Sequence, residues 1–301
     1  MTKREDEPNF NLVIESLAII AYNEFIINKL QIKEQVFRMG KYESEEEVLK
    51  HYNPKKYTTP DGYTSDIAVF TIELTYHENH KPPEASLKLM LIQRAETDRE
   101  GEPNIEGGKW ALPGGFVRPT ETAYAAAVRE LHEEASVRNI HLKHFNVYDQ
   151  PGRDKRGWII SNAFYAIATE EYLTERKAAD DAQNVELFTR EEIENIDLAF
   201  DHQKIIADAF EVIKRDILQT TVAKEFLPEE FTLSELRSLL LLVSDDPGVT
   251  NESAFVRDAP KYPFLEVATD YKGDIKTTTR TAKRSTRMFR FKGSEPTVSI
   301  Y

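Results

Sequence analysis

The chain has 301 residues, enough for two domains of ordinary size, with 40% apolar and 30% charged residues. Its net charge of −13 argues against wholesale coating of nucleic acid or of an anionic membrane. The absence of cysteine excludes a disulfide framework and thiolate metal sites, which suits the cytoplasm.

The N-terminus, Met1 to Glu7, follows its basic pair at once with acids and so does not read as a secretory signal. The most apolar segment, Leu12 to Leu30, is interrupted by Glu15, Asn23, Glu24 and Asn28, whereas a membrane span needs about 20 nearly uninterrupted apolar residues. No transmembrane helix is expected. Leu12 to Phe37 has apolar spacing suited to a helix, residues 1–48 are expected to form a helical extension, and Met39 offers a second start for translation.

Ser65 to Thr75 is β-branched and aromatic and predicts a strand. His80-Lys-Pro-Pro-Glu84 is a loop, and Leu87 to Gln93 predicts a second strand ending at Arg94. A polar loop runs to Trp110. A glycine loop, Leu112-Pro-Gly-Gly115, then leads into a helix from about 121 to 135. Asp149 to Gly157 is a turn cluster, and Trp158 to Thr169 predicts a third strong strand. Glu170 to Asn184 is an acidic loop, and Val185 to Phe188 a short strand. Thr189 to Glu192 is a capping box opening a helix. Strands interleaved with helices predict an α/β fold with a mixed sheet covered on both faces, over residues 49–198.

Ile206, Phe210, Ile213 and Ile217 recur at helical spacing, so a helix at 199–219 reads as a connector. A smaller domain is expected from 220 to 301. Thr232 to Glu235 is a second capping box, Asp245 to Gly248 a turn, and a short helix from about 251 is stopped by Pro260. Phe264 to Thr269 and Thr277 to Phe291 predict the two strands of a hairpin. Helix, turn, helix, hairpin is the order of a winged helix-turn-helix. Residues 260–301 hold nine Lys/Arg against four Asp/Glu, with Arg280, Lys283, Arg284, Arg287 and Arg290 along the last hairpin. Such a strip can neutralise phosphates of double-stranded DNA. Equally, it can be a solvated edge that charge protects from aggregation.

The most specific feature is Gly115, five residues, Glu121, seven residues, then Arg129-Glu-Leu-His-Glu-Glu-Ala-Ser-Val137. Glu130, Glu133 and Glu134 stand at i, i+3 and i+4, neighbours on one helical face with Cβ atoms roughly 5–6 Å apart. Like charges so close repel unless a cation sits among them. Oxygen ligands without His or Cys point to Mg²⁺ or Mn²⁺.

This pattern resembles the Nudix box, matching eight of its nine specified positions over 23 residues; the exception is Ser136 in place of glycine. Serine at a left-handed helix end costs about 1 kcal/mol and removes no ligand. Tyr52 to Tyr57, Asp66 to Ile72, Trp110 to Val117, Pro151 to Gly157, Asp180-Asp-Ala182 and Leu198 to His202 resemble ADP-ribose pyrophosphatases, and equally the Nudix-related regulators of NAD metabolism. The resemblance implies a Nudix α/β/α sandwich followed by a small winged helix. It implies metal ligands Gly114 (carbonyl), Glu130, Glu133 and Glu134, with Arg129 holding the glutamates and Glu121 supporting the loop–helix junction. Arg94, Arg153 and Arg156 are candidates for phosphate or ribose, with structural ion pairs to acids such as Asp154 as the alternative for the last two. The general base would be Glu130 or an acid of the following loop, among Glu171, Glu175, Asp180 and Asp181. The expected chemistry is hydrolysis of a nucleoside diphosphate derivative, or its sensing by a DNA-binding regulator, in a protein of a type often dimeric. Asn251 to Pro260 carries one arginine and two acids, so base reading through it is expected to be poor.

Overall fold

The computed structural model describes residues 19, 21–31, 42, 44–97, 100–135, 141–168 and 182–293, and the chain divides after Thr59 into two units. Met39, Ser136 and the acids Glu171, Glu175, Asp180 and Asp181 lie outside the described residues. In the first unit residues 21–31 are helical and α1 spans Glu45–His51. Ser44 caps α1, its hydroxyl accepting from the Glu47 N–H at 3.2 Å, and three glutamates in the first turn suit the helix dipole.

The second unit is built on β1 (Gly62–Thr75), which is buried along most of its length. It runs parallel to β6 (Ile159–Ile167) and antiparallel to β2 (Glu84–Arg94) and to the short β4 (Gly114–Phe116). With β3 (Trp110–Ala111), β5 (His141–Tyr148) and β7 (Ala182–Phe188) they form one mixed sheet, ordered β3-β2-β1-β6-β5, with β4 attached to β1 and β7 to β2. The predicted strands at 65–75, 87–93, 158–169 and 185–188 are all present. Strand β5 was not predicted. It is an edge strand rich in polar residues, and a register shift between His144 and Asn146 breaks its alternation.

Alternation along the central strands sends side chains to two cores. Ile67, Val69, Met90, Phe164 and Ala166 pack on α2 (Ala123–Ala135) through Ala127 and Leu131. Phe70, Leu89, Tyr165 and Ile167 pack on α4 (His202–Gln219), which follows the single-turn α3 (Arg190–Ile193). Residues 202–219 therefore do more than connect: α4 is the covering layer of one face. Both faces being covered explains why β1 and β6 read as continuous apolar runs. Among the described residues no helix is long and apolar enough to cross a membrane.

The core under α4 continues into the C-terminal part. There α5 (Leu233–Leu241), α6 (Pro247–Thr250) and α7 (Glu252–Asp258) precede four short strands, β8 (Leu265–Val267), β9 (Thr277–Thr278), β10 (Thr286–Arg287) and β11 (Phe289–Phe291). Both predicted capping boxes, Thr189/Glu192 and Thr232/Glu235, are formed. The predicted hairpin is modified. β8 pairs with β11 and β9 with β10, so Thr277 to Phe291 is not one strand. Residues 279–285 leave the sheet where the Arg280 guanidinium turns inward onto Glu235.

Candidate functional site

The start of α2 is fixed twice: Thr122 Oγ1 accepts from the Ala125 N–H at 3.1 Å, and Ser65 Oγ on β1 donates to the Ala123 carbonyl at 2.8 Å. This sets the acidic face of α2 against β4. A Cβ at Gly115 would lie 2.2 Å from Glu130 Oε1, and one at Gly114 would lie 2.3 Å from the Ser65 carbonyl. Glycine is required at Gly114, where the clash is with backbone, and at Gly115 a Cβ would displace the Glu130 carboxylate.

One guanidinium gathers the described carboxylates of the face. Arg129 donates to Glu121 from Nη2 at 2.6 Å and Nε at 3.1 Å, to Glu130 from Nη1 at 2.6 Å, and to Glu133 from Nη1 at 3.2 Å. Its Nη2 also donates to the Phe116 carbonyl at 3.1 Å, tying β4 to the helix. The Arg129 contact, aided by the Arg118 N–H, pulls the Glu121 carboxyl down to about 2. Glu130 is buried, whereas Glu133 is exposed and also faces Arg118 at 3.7 Å. Glu134 continues the same face of α2 by its spacing; its side chain lies outside the described ones. Among the described residues no three acidic or histidine side chains converge as a ready cation cage. His132, at an unspecified position of the box, is exposed.

Beside this helix lies a small cleft, lined by Gly114, Gly115 and Phe116. Arg94, Arg153 and Arg156 all line it, so the structure brings the three predicted contacts together from β2 and the loop before β6. Two are also held by aspartates, so both expected readings meet there. Arg156 forks onto Asp154, with Nη2–Oδ2 at 2.6 Å, and its guanidinium lies between the Phe116 and Phe200 rings, 5.0 and 4.8 Å from their centroids. Burial pushes the Asp154 carboxyl up, but the Arg156 contacts outweigh it and hold it below its ordinary value. Arg153 donates to Asp201 from Nη2 at 2.6 Å and Nε at 2.9 Å and lies 3.9 Å from Asp66. Arg94 donates to the Ile105 carbonyl and to Asn104 and lies 5.2 Å from the Phe200 centroid.

The sequence had singled out neither Asp66, Phe200, Asp201 nor His202 for a role. Asp197 and Ala199 are clamped to Trp110 by backbone hydrogen bonds at 2.9 and 2.8 Å. Phe200 then turns through a left-handed conformation, φ 52°, and α4 begins. Asp201 occupies the helix N-cap, yet its carboxylate caps nothing, because it is spent on Arg153. A left-handed phenylalanine costs on the order of 1 kcal/mol or more. An N-cap aspartate without a capping bond beside it marks where local structure yields to the cleft.

The profile of the NUDIX domain matches residues 75–209, and an ADP-ribose pyrophosphatase of Methanocaldococcus jannaschii is 40% identical over 121 residues, covering 40% of this chain and 64% of that protein. Residues 75–209 are a NUDIX domain. The Nudix box is thus the segment that places Arg129 and its glutamates on α2. A second relative, the ADPR responsive transcriptional repressor NtrR of Acinetobacter baylyi, is 26% identical over 204 residues, covering 67% of this chain and 74% of that protein. The crystal structure of Shewanella oneidensis NrtR superposes with a TM-score of 0.55 at 25% identity, over 76% of this chain and 94% of that one. That likeness runs beyond the Nudix domain into the C-terminal part.

The predicted DNA-contacting residues separate. Lys283, Arg284 and Arg287 are exposed, and among the described residues none meets an acidic partner. Arg280 is instead committed to the fully buried Glu235, with both contacts at 2.7 Å, and Arg290 pairs with Glu266 at 2.6 Å. On α7, Arg257 pairs with Asp258 at 2.6 Å.

Proposed function

We propose that the protein is a Mg²⁺- or Mn²⁺-dependent Nudix hydrolase of the cytoplasm. It would split the diphosphate of ADP-ribose, or of a related nucleoside diphosphate derivative, into two monophosphates. The observation that carries this reading is the excess of carboxylate over cation on the box face of α2, set against glycines at the floor of a cleft. One arginine holds Glu121, Glu130 and Glu133, leaving negative charge that a divalent cation would neutralise. The donor set is all hard oxygen, and the missing Cβ of Gly115 lets the Glu130 carboxylate lie directly against the glycine loop. Glu130, Glu133, Glu134 and the Gly114 carbonyl would hold the ion. When bound, it would neutralise the diphosphate and lower the pKa of an attacking water. Arg129 keeps the glutamates oriented, and Glu121 keeps Arg129 oriented. Arg94, Arg153 and Arg156 would orient the nucleotide, with Arg156 in contact with two phenyl rings. For ADP-ribose the products are AMP and ribose 5-phosphate. Purified protein with Mg²⁺ and ADP-ribose is expected to release AMP, and Glu130→Gln to reduce that rate at least about 100-fold. No turnover of any dinucleotide or sugar nucleotide, with the variant indistinguishable, would sink the reading.

A second reading rests on a different observation, the three exposed cations Lys283, Arg284 and Arg287 on an otherwise acidic protein. In it the Nudix domain is the ADP-ribose sensor of a DNA-binding regulator, as the name of the Acinetobacter relative suggests for that protein. Both readings can hold in one chain, acting as a homodimer. A mobility-shift assay on DNA upstream of its own operon, with and without ADP-ribose, tests it; no binding at low salt rejects it.

A further inference from the structure

The first residue of α4 has the means to read a ligand. His202 is 4% exposed, and its Nδ1 accepts a hydrogen bond from the Leu112 N–H at 2.9 Å. An imidazole nitrogen that accepts from a backbone amide carries no proton, so the ring proton sits on Nε2. The ring lines the cleft, and among the described residues no chain atom takes the Nε2 proton. Burial also holds its pKa below the ordinary histidine value, against the pull of Asp66 and Asp201, which keeps the ring neutral. A donor on the cleft wall without a protein acceptor is left for a ligand or water to satisfy.

The surroundings say what kind of acceptor fits. Near His202 the cleft wall is Ile92 and Leu112, and the Arg153 and Arg156 charges are already matched by Asp201 and Asp154. With two of the three cleft arginines so neutralised, this end suits an uncharged acceptor better than a phosphate. The carboxylate-rich, metal-suited end lies instead at Gly115 and Glu130. Resting on the reading of the cleft as a nucleoside diphosphate site, we infer that His202 is a specificity-determining residue. Its Nε2–H donates to an uncharged oxygen of the sugar that adjoins the diphosphate.

The test uses two uncleavable probes with Mg²⁺, α,β-methylene ADP-ribose and methylenediphosphonate, titrated calorimetrically against the full chain. In His202→Asn the amide oxygen replaces Nδ1 and keeps the Leu112 contact, but nothing replaces Nε2–H. This variant is expected to bind the ADP-ribose analogue about tenfold more weakly and the diphosphonate within about twofold of wild type. His202→Gln, whose amide reaches the Nε2 position, restores affinity to within about threefold. An unchanged affinity for the ADP-ribose analogue in His202→Asn overturns the inference, as does an equal loss for the diphosphonate. If wild type binds neither probe, the reading of the cleft fails first, and visibly so. Should the variants not fold, ¹⁵N spectra of the wild-type imidazole decide: a proton on Nε2 whose resonance moves with the ADP-ribose analogue supports the inference. A proton on Nδ1, or no movement, overturns it.

Discussion

Two arginines in this chain each gather glutamate, and the difference between them separates a site from a strut. Arg129 meets three carboxylates, one buried and two nearer solvent, beside an open cleft. Arg280 meets one, Glu235, which is fully buried and also accepts from the Tyr76 hydroxyl and from the Thr232 N–H. The second cluster balances its charge and fills its hydrogen bonds within the protein. The first leaves carboxylate in excess. In the proposed function a divalent cation would neutralise that imbalance, whereas the sealed cluster is already balanced. Arg280 ties three parts together, since Tyr76 ends the central sheet, Glu235 lies on α5, and Arg280 itself starts the basic loop. The Ser238 hydroxyl, donating to the Pro83 carbonyl at 2.8 Å, seals the same junction.

The largest effect expected from this contrast is on stability. Arg280→Ala leaves a buried carboxylate without its cation, which costs about 3–5 kcal/mol. Urea unfolding should show it as a large drop in midpoint. A drop of less than about 1 kcal/mol, accompanied by loss of DNA binding, would return Arg280 to the role first expected of it. Arg129→Ala should behave in the opposite way. Two of its three glutamates are nearer solvent and all three repel one another, so the loss of stability should be smaller than for Arg280→Ala. The misplaced carboxylates should lower ADP-ribose turnover about 100-fold, measured as AMP released. If Arg129→Ala unfolds the protein and Arg280→Ala leaves it folded, the distinction collapses.

What the sequence could reveal follows from the same contrast. The Nudix box is local: its spacing and residue types lie within one loop and one helix, so Gly115, Glu121, Arg129 and the glutamates could be read directly. Strands β1, β2 and β6 were legible because burial on both faces demands continuous apolar runs. Strand β5 was not, since its bulge and polar edge erase the alternation. His202, Asp201 and Asp66 escaped because their meeting depends on three elements far apart in sequence. The segments Asp66 to Ile72 and Leu198 to His202 resemble ADP-ribose pyrophosphatases, but the aspartate at the start of α4 reads as an ordinary cap until its carboxylate is seen on Arg153. The pairing of Arg280 was illegible for a related reason. A basic run shows how many cations there are, but a partner 45 residues away decides which are free.

Acid should loosen the Arg280 cluster in a definite direction. Burial pushes the Glu235 carboxyl up, but Arg280, Tyr76 and Thr232 together outweigh it and leave it below the ordinary value. A carboxyl lowered in the folded state stabilises fully above its unfolded pKa, about 4.3, and that contribution is lost as pH falls through this value toward the folded one. The urea midpoint should therefore fall more steeply below about pH 5 in wild type than in Glu235→Gln. Parallel pH profiles for the two would mean that Glu235 does not titrate against Arg280.

The smallest expected effect on stability is also the one that decides what the basic loop is for. Arg284 and Arg287 are exposed, and among the described residues neither has an acidic partner, so the double change to alanine should alter stability by no more than about 0.5 kcal/mol. If they meet phosphates, each contact releases counterions. Losing both should then flatten the dependence of log affinity on log salt by roughly 1.8, at about 0.9 per phosphate. If they only solvate an edge, the slope stays as it is. The salt slope is a better readout than affinity at one salt concentration, because affinity also falls when a loop is merely displaced. The comparison with Arg280 sharpens it further. Arg280→Ala should weaken DNA binding only as far as it disorders the loop, leaving the slope of the folded fraction intact, whereas the Arg284/Arg287 pair should change the slope in a protein that is fully folded.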